Sequence, residues 1–247
     1  MNYITYDGSY AGLMTILYDI FQYKIESPII QSRTIKDVGL YENINVITCE
    51  SKAAKTLNYL KLFLSIGELE LIRNIFLSEE QLAEQLIISV LQKTIKNKSS
   101  ILKDFSNSNV LKIHKINKSV NREKHRMKAF IRFKKVDSDL FYAECEPDFD
   151  VLPLIIKHFS RRYANQKWII FDSKRKYGIF YDLTQVQFIQ LEKNSSNIIN
   201  SQRSGEHDYE QLWSTYFERT NIKSRKNTKL FIQHVPKRYW KHLTELK

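Results

Sequence analysis

The hydrophobic residues of this chain change their period near residue 126, and that change decides what it can fold into. Before it, apolar residues recur every three or four positions, the spacing that lines one face of a helix. Leu13, Ile16, Leu17, Ile20 and Phe21 mark a helix over 10–23; Leu82, Leu86, Ile87, Val90, Leu91 and Ile95 mark another over 79–96. Further helices are expected at 50–65 and 67–77, and Ser78-Glu79-Glu80-Gln81 reads as a capping box opening the 79–96 helix. Residues 2–6 are β-rich and run into Asp7-Gly8-Ser9, a turn that can cap a helix. The stretch 28–48 is less regular, with a short strand at Asn45–Thr48. A polar loop over 97–109 leads through Asn107-Ser108-Asn109 into one more helix.

Beyond residue 126 strands alternate with helices. Ala129–Val136 and Leu140–Cys145 read as strands around an Asp137-Ser138-Asp139 hairpin loop. A helix over 151–165 precedes strands at Trp168–Phe171, Lys176–Asp182 and Thr184–Leu191. After a polar loop from Lys193 to Glu206 come an amphipathic helix at Asp208–Arg219 and a last element starting near Pro236. The expected fold class is α+β: a mostly helical N-terminal half and an antiparallel-sheet-plus-helices C-terminal half. The boundary falls between 1–110 and 111–247, as two domains or as one continuous domain.

Composition removes several classes. With 247 residues, 43% hydrophobic, and only 6 Gly and 4 Pro, the chain can bury a core and is neither collagen-like nor low-complexity. Cys49 and Cys145 lie far apart without a Cys or His neighbour, which argues against a disulfide scaffold and a structural zinc site. Asp7 stands where a signal peptide would be basic, and no uncharged apolar run reaches the roughly 20 residues that span a bilayer. A soluble, cytoplasmic protein without membrane contact is expected. No cofactor is expected either: Walker A, GxGxxG, Cx3Cx2C and HxE…PCxxC patterns are all missing from the sequence.

The net charge of +12 is unevenly placed. Residues 1–120 hold 14 basic and 12 acidic side chains, whereas 121–247 hold 25 and 15, with ten of the twelve arginines. Compositional drift would spread along the chain; this excess does not, and it points to a polyanionic partner for the second half.

Within the 151–165 helix, His158, Arg161 and Arg162 share one face. Adjacent guanidinium forks beside a histidine can clamp a phosphate; the alternative is a solvated face paired to Asp148 or Asp150. Arg122, His125 and Arg126 repeat the pattern where cations also suit a helix C-terminus. Residues 221–247 carry eight basic side chains against Glu245 alone. Arg225, Arg238 and Lys241 suit phosphate contact there, Asn227, Gln233 and His234 offer hydrogen bonds, and Trp240 suits packing on the core. Alternation puts Tyr177, Ile179 and Tyr181 on one strand face, where the rings either stack on bases or join the core. Asp172 and Arg175 suit an ion pair closing their turn. An enzymatic site would draw on His125, His158, Asp172, Arg175 and His234, with a histidine as general acid or base.

Five strings carry a resemblance. The opening Ile4-Thr5-Tyr6-Asp7-Gly8-Ser9-Tyr10-Ala11-Gly12-Leu13-Met14 is joined by His125–Phe133, Glu146–Tyr163, Trp168–Asp182 and Leu212–Glu245. Together they resemble an uncharacterised bacterial family described as DNA-metabolism or DNA-repair proteins, and Val235 stands where that family has Met. The resemblance implies a gene neighbour encoding a radical-SAM protein and, in some relatives, fusion to a uracil-DNA glycosylase domain. It supplies a context without a reaction. The expected function is therefore a nucleic-acid-binding accessory protein of DNA repair with a radical-SAM partner. An enzyme acting on damaged DNA or nucleotides is the alternative, and a scaffold for the partner enzyme stands below both.

Overall fold

The computed structural model describes residues 2–32, 43–137, 139–190 and 235–243. The expected loop at Lys193–Glu206 and helix at Asp208–Arg219 lie outside the described residues, as do Arg225, Asn227, Gln233 and His234. The chain is α+β and forms two compact units, Met1–Asn121 and Arg122–Lys247.

In the first unit, β1 (Asn2–Tyr6) lies between β2 (Pro28–Ser32) and β3 (Asn43–Asn45), parallel to both. Parallel neighbours need a crossover, and α1 (Tyr10–Gln22) supplies it between β1 and β2. A small parallel sheet thus stands inside the helical half, with β3 two residues earlier than its expected strand and β2 within a stretch read as irregular. The helices α2 (Glu50–Leu60), α3 (Ile66–Phe76) and α4 (Ala83–Asn97) complete the unit with the first part of α5 (Ser108–Phe130). Gln85 on α4 covers the outer edge of β2: its side-chain amide accepts from the Ile30 N–H at 3.0 Å and donates to the Pro28 carbonyl at 3.0 Å. That contact satisfies backbone groups an edge strand would leave open.

Leu13, Ile16, Leu17 and Ile20 of α1 are buried as their spacing predicts, but Phe21 is 42% exposed. One residue beyond Ile20, it has rotated off the buried face. The expected capping box at Ser78 is not the start of α4. Glu79 and Leu82 have positive φ, and the Ser78 hydroxyl donates to the Ile75 carbonyl at 2.6 Å, so this serine closes α3. A true capping box opens α3: Ser65 Oγ accepts from the Glu68 N–H at 3.3 Å while Glu68 Oε2 accepts from the Ser65 N–H at 2.8 Å.

The turn from β1 to α1 needs two glycines for different reasons. Gly8 has φ of +80°, and Gly12 sits where a Cβ would meet Asp7 Oδ1 at 2.6 Å and Thr48 Oγ1 at 2.7 Å. Around it Ser9 caps α1 by accepting from the Gly12 N–H at 2.9 Å, and Thr48 donates to Asp7 at 2.7 Å. The sequence Asp7-Gly8-Ser9 thus ties the end of β1 to the chain entering α2.

The second unit is a five-stranded sheet in the order β4 (Lys134–Asp137), β5 (Leu140–Cys145), β6 (Lys167–Asp172), β7 (Tyr177–Tyr181) and β8 (Val186–Ile189). Three of its pairings are antiparallel, but β5 and β6 are parallel. The expected antiparallel sheet is therefore mixed, because α6 (Leu152–Arg162) forms a crossover between those two strands. Trp168–Asp172 is buried residue after residue, as befits a central strand covered on both faces. Leu152, Ile155 and Phe159 of α6 are buried with Trp168, Ile170 and Ile179. The strand expected from Ala129 begins only at Lys134. Val120, Glu123, Met127 and Ile131 are all buried, which keeps the helical phase of α5 running past Ala129. A 3-10 turn, Lys237–His242, follows Pro236.

Replacing Gly12 by alanine forces a methyl group against Asp7, Thr48 and Tyr6. The expected cost is about 1–3 kcal/mol, read as a lower urea midpoint with an unchanged m-value.

Candidate nucleic-acid interface

Glu123 organises the charged side chains of the second unit. It lies on the buried stripe of α5 and is 1% exposed. Its carboxylate accepts from the Tyr239 hydroxyl at 2.6 Å, from Arg238 Nη2 at 3.0 Å and from the Asp148 N–H at 2.9 Å. Arg126 Nη1 stands 3.9 Å away. One carboxylate thus joins α5, the loop after β5 and the C-terminal 3-10 turn. Burial and the adjacent carboxylate both keep the Tyr239 hydroxyl protonated well above the usual tyrosine range. Tyr239 and Leu243 are each 2% exposed and seat the turn, while Trp240 Nε1 donates to the Val235 carbonyl at 2.9 Å.

This network changes the expectation for two C-terminal cations. Arg238 pairs with Glu123 and with Asp148 Oδ2 at 2.6 Å, and its guanidinium lies 4.6 Å from the Tyr239 ring centroid. Lys241 is paired with Glu146. Both were expected to meet phosphate; both are instead balanced by acids of their own unit.

The β6–β7 turn consumes another pair. Asp172 is fully buried; Oδ1 accepts from the Lys174 and Arg175 N–H groups at 2.9 and 3.1 Å, and Oδ2 from Arg175 Nη1 at 2.8 Å. The same guanidinium donates to the carbonyls of Pro147 at 3.1 Å and Asp148 at 3.0 Å. Asp172 and Arg175 therefore close a turn, the structural role weighed for them, and their hydrogen-bonding groups are committed to it.

The tyrosine face is likewise engaged from within. Tyr181 is 7% exposed and stacks on Trp168 with centroids 5.3 Å apart, and its hydroxyl donates to the Leu183 carbonyl at 2.7 Å. It is a core residue, not a platform for a base. Tyr177 is half-buried and donates to Asp150, which lifts its hydroxyl far above the usual range, burial being the larger cause. Its ring also lies 6.1 Å from Phe188, which is 61% exposed.

The α6 cations stand apart. Arg161 and Arg162 are exposed in the last turn of the helix, His158 is half-buried one turn earlier, and Lys128 of α5 acts on His158 by its charge. Phe133, just after α5, makes edge contacts with Phe159 at 5.7 Å and Tyr163 at 5.1 Å, and so holds the two chain segments together. Arg162 lies 5.8 Å from the Tyr163 ring centroid. Of the acids proposed to neutralise this face, Asp148 accepts from Arg238 and Asp150 from Tyr177. Among the described residues neither Arg161, Arg162 nor Lys128 has a carboxylate within ion-pair distance. Desolvation first, then the charges of Lys128 and Arg162, lower the His158 pKa below its ordinary value. His125 is exposed on α5.

Sequence reasoning missed Glu123 and Lys128. Glu123 had a legible signal, a lone acid in step with Val120 and Met127 on an apolar stripe. Lys128 had none, because its role depends on α5 meeting α6.

The family follows from the sequence: residues 81–245 match the model of a domain of unknown function, DUF4130, and the chain belongs to that family. No curated protein matches it. Among the described residues, no helix is long and apolar enough to cross a membrane.

Substituting Tyr239 by phenylalanine removes a donor from a buried carboxylate. A loss of about 1–3 kcal/mol is expected, measured by chemical denaturation, with Lys157→Ala at an exposed position of α6 as the control.

Proposed function

We propose that this protein is a nucleic-acid-binding accessory factor of DNA repair or DNA metabolism, acting in the cytoplasm beside a radical-SAM partner. The observation that carries the reading is the contrast between two sets of cations. Arg175, Arg238 and Lys241 are balanced by acids within their own unit, whereas Arg161, Arg162 and Lys128 have no carboxylate partner among the described residues. Clustering like charges is unfavourable unless a counter-charge arrives from outside, and a phosphodiester backbone supplies one at regular intervals. Guanidinium forks at i and i+1 offer bidentate contact to successive phosphate oxygens. The +10 balance of residues 121–247 adds a long-range field in the same sense. DNA as the polyanion and a radical-SAM protein as the partner rest on the resemblance of the five strings.

Of the groups named for an enzyme acting on damaged DNA or nucleotides, Asp172 and Arg175 are bonded to each other in a closed turn, which favours the binding reading.

Binding of a labelled single-stranded oligonucleotide to the full chain should weaken steeply between about 50 and 200 mM salt. Arg161→Ala combined with Arg162→Ala should reduce the slope of log K against log salt by about 1.4, two contacts at about 0.7 each. An unchanged slope in the double variant, or no binding by the parent chain at about 50 mM salt, would refute the reading.

A further inference from the structure

We propose that His158 makes phosphate binding at this face proton-coupled: the imidazole takes up a proton as an anionic phosphate settles among Arg161, Arg162 and Lys128. The inference rests on the reading of this face as a nucleic-acid interface and adds a titrating group to it.

Geometry places His158 on the same helix face as the two arginines. It precedes Arg161 and Arg162 by three and four positions, so all three share one face of α6. It is half-buried, and its ring packs edge-on against Phe159 with centroids 5.0 Å apart. Phe159 is itself 2% exposed and fixed against Trp168. The imidazole is thus held on the buried shoulder of the face, while the two arginines extend into solvent.

The charged groups acting on His158 come from two elements: Lys128 from α5 and Arg162 from α6 itself. Both are cations, and among the described residues no carboxylate lies within ion-pair distance of the ring. In the free protein the imidazolium therefore meets two like charges and partial loss of water, and the neutral form is favoured. An arriving phosphate reverses the balance. Its negative charge offsets Lys128 and Arg162, and an imidazolium, a donor at both nitrogens, is a stronger partner for its oxygens than the neutral ring.

The linkage has a definite sign. The His158 pKa is low in the free protein and higher in the complex, so binding takes up a proton between the two values. Affinity consequently rises as pH falls through the bound pKa and levels off below the free one. A single proton limits the gain to about tenfold per pH unit. Arginine and lysine keep their charge throughout this range, so without the histidine the face would bind with little dependence on pH.

The test uses the full chain, a labelled single-stranded oligonucleotide, and constant ionic strength between about pH 8 and about pH 5.5, roughly 2.5 units spanning the ordinary histidine range. Binding should tighten several-fold as pH falls. His158→Gln should lose most of this pH-dependent tightening. Histidine-selective NMR supplies a readout independent of folding changes in the variant. The His158 midpoint should lie below that of an ordinary histidine in the free protein, rise on adding oligonucleotide, and rise in free Lys128→Gln. Equal tightening in His158→Gln, or a His158 midpoint unmoved by oligonucleotide, would overturn the proton coupling and leave the interface standing. Absence of binding at low salt would overturn both.

Discussion

A single buried carboxylate, Glu123, holds together the parts of the second unit that lie far apart in sequence. Taking a carboxylate out of water is costly unless every lone pair is met by a donor. Here the donors come from the 3-10 turn through Arg238 and Tyr239, and from the loop after β5 through the Asp148 N–H. The buried Tyr239 hydroxyl would itself be stranded without the acid, so the carboxylate and the turn fix one another. The segment Leu212–Glu245, which carries the longest of the family-like strings, ends in this contact. A motif rich in Lys and Arg can therefore be constrained by an internal acid as much as by a ligand.

That anchoring sorts the basic residues of the unit. Surface cations near acids are neutralised locally and have little left for a polyanion, even when half exposed; Arg238, with a 42% exposed side chain, is the example. The α6 face has the opposite character. The acids weighed for it from the sequence, Asp148 and Asp150, are drawn to Arg238 and Tyr177.

Much of the architecture was readable in the residues. The helical spacing of Leu13, Ile16, Leu17 and Ile20 located α1, and the switch to alternation beyond residue 126 located β5, β6 and β7. The DUF4130 match over residues 81–245 agrees with the reading of an uncharacterised family. What periodicity could not convey was which neighbour a strand chooses. The parallel pairing of β5 with β6, and the small parallel sheet around β1, depend on crossover helices and not on the strands' own pattern. Charge was legible as a total and as a gradient, but not as pairing. Arg161, Arg162, Arg238 and Lys241 look alike in sequence, and only the positions of Glu123, Asp148 and Glu146 distinguish them. Tyr181 was similarly ambiguous until Trp168 was seen beneath it.

The central claim is that the open face of α6, and not the paired C-terminal turn, receives the polyanion. Arginine-specific modification with phenylglyoxal, mapped by mass spectrometry with and without a single-stranded oligonucleotide, tests it most directly. The account predicts that Arg161 and Arg162 react readily in the free protein and are protected by the oligonucleotide, while the reactivity of Arg238 does not change. Protection of Arg238 with Arg161 and Arg162 left equally reactive would contradict it.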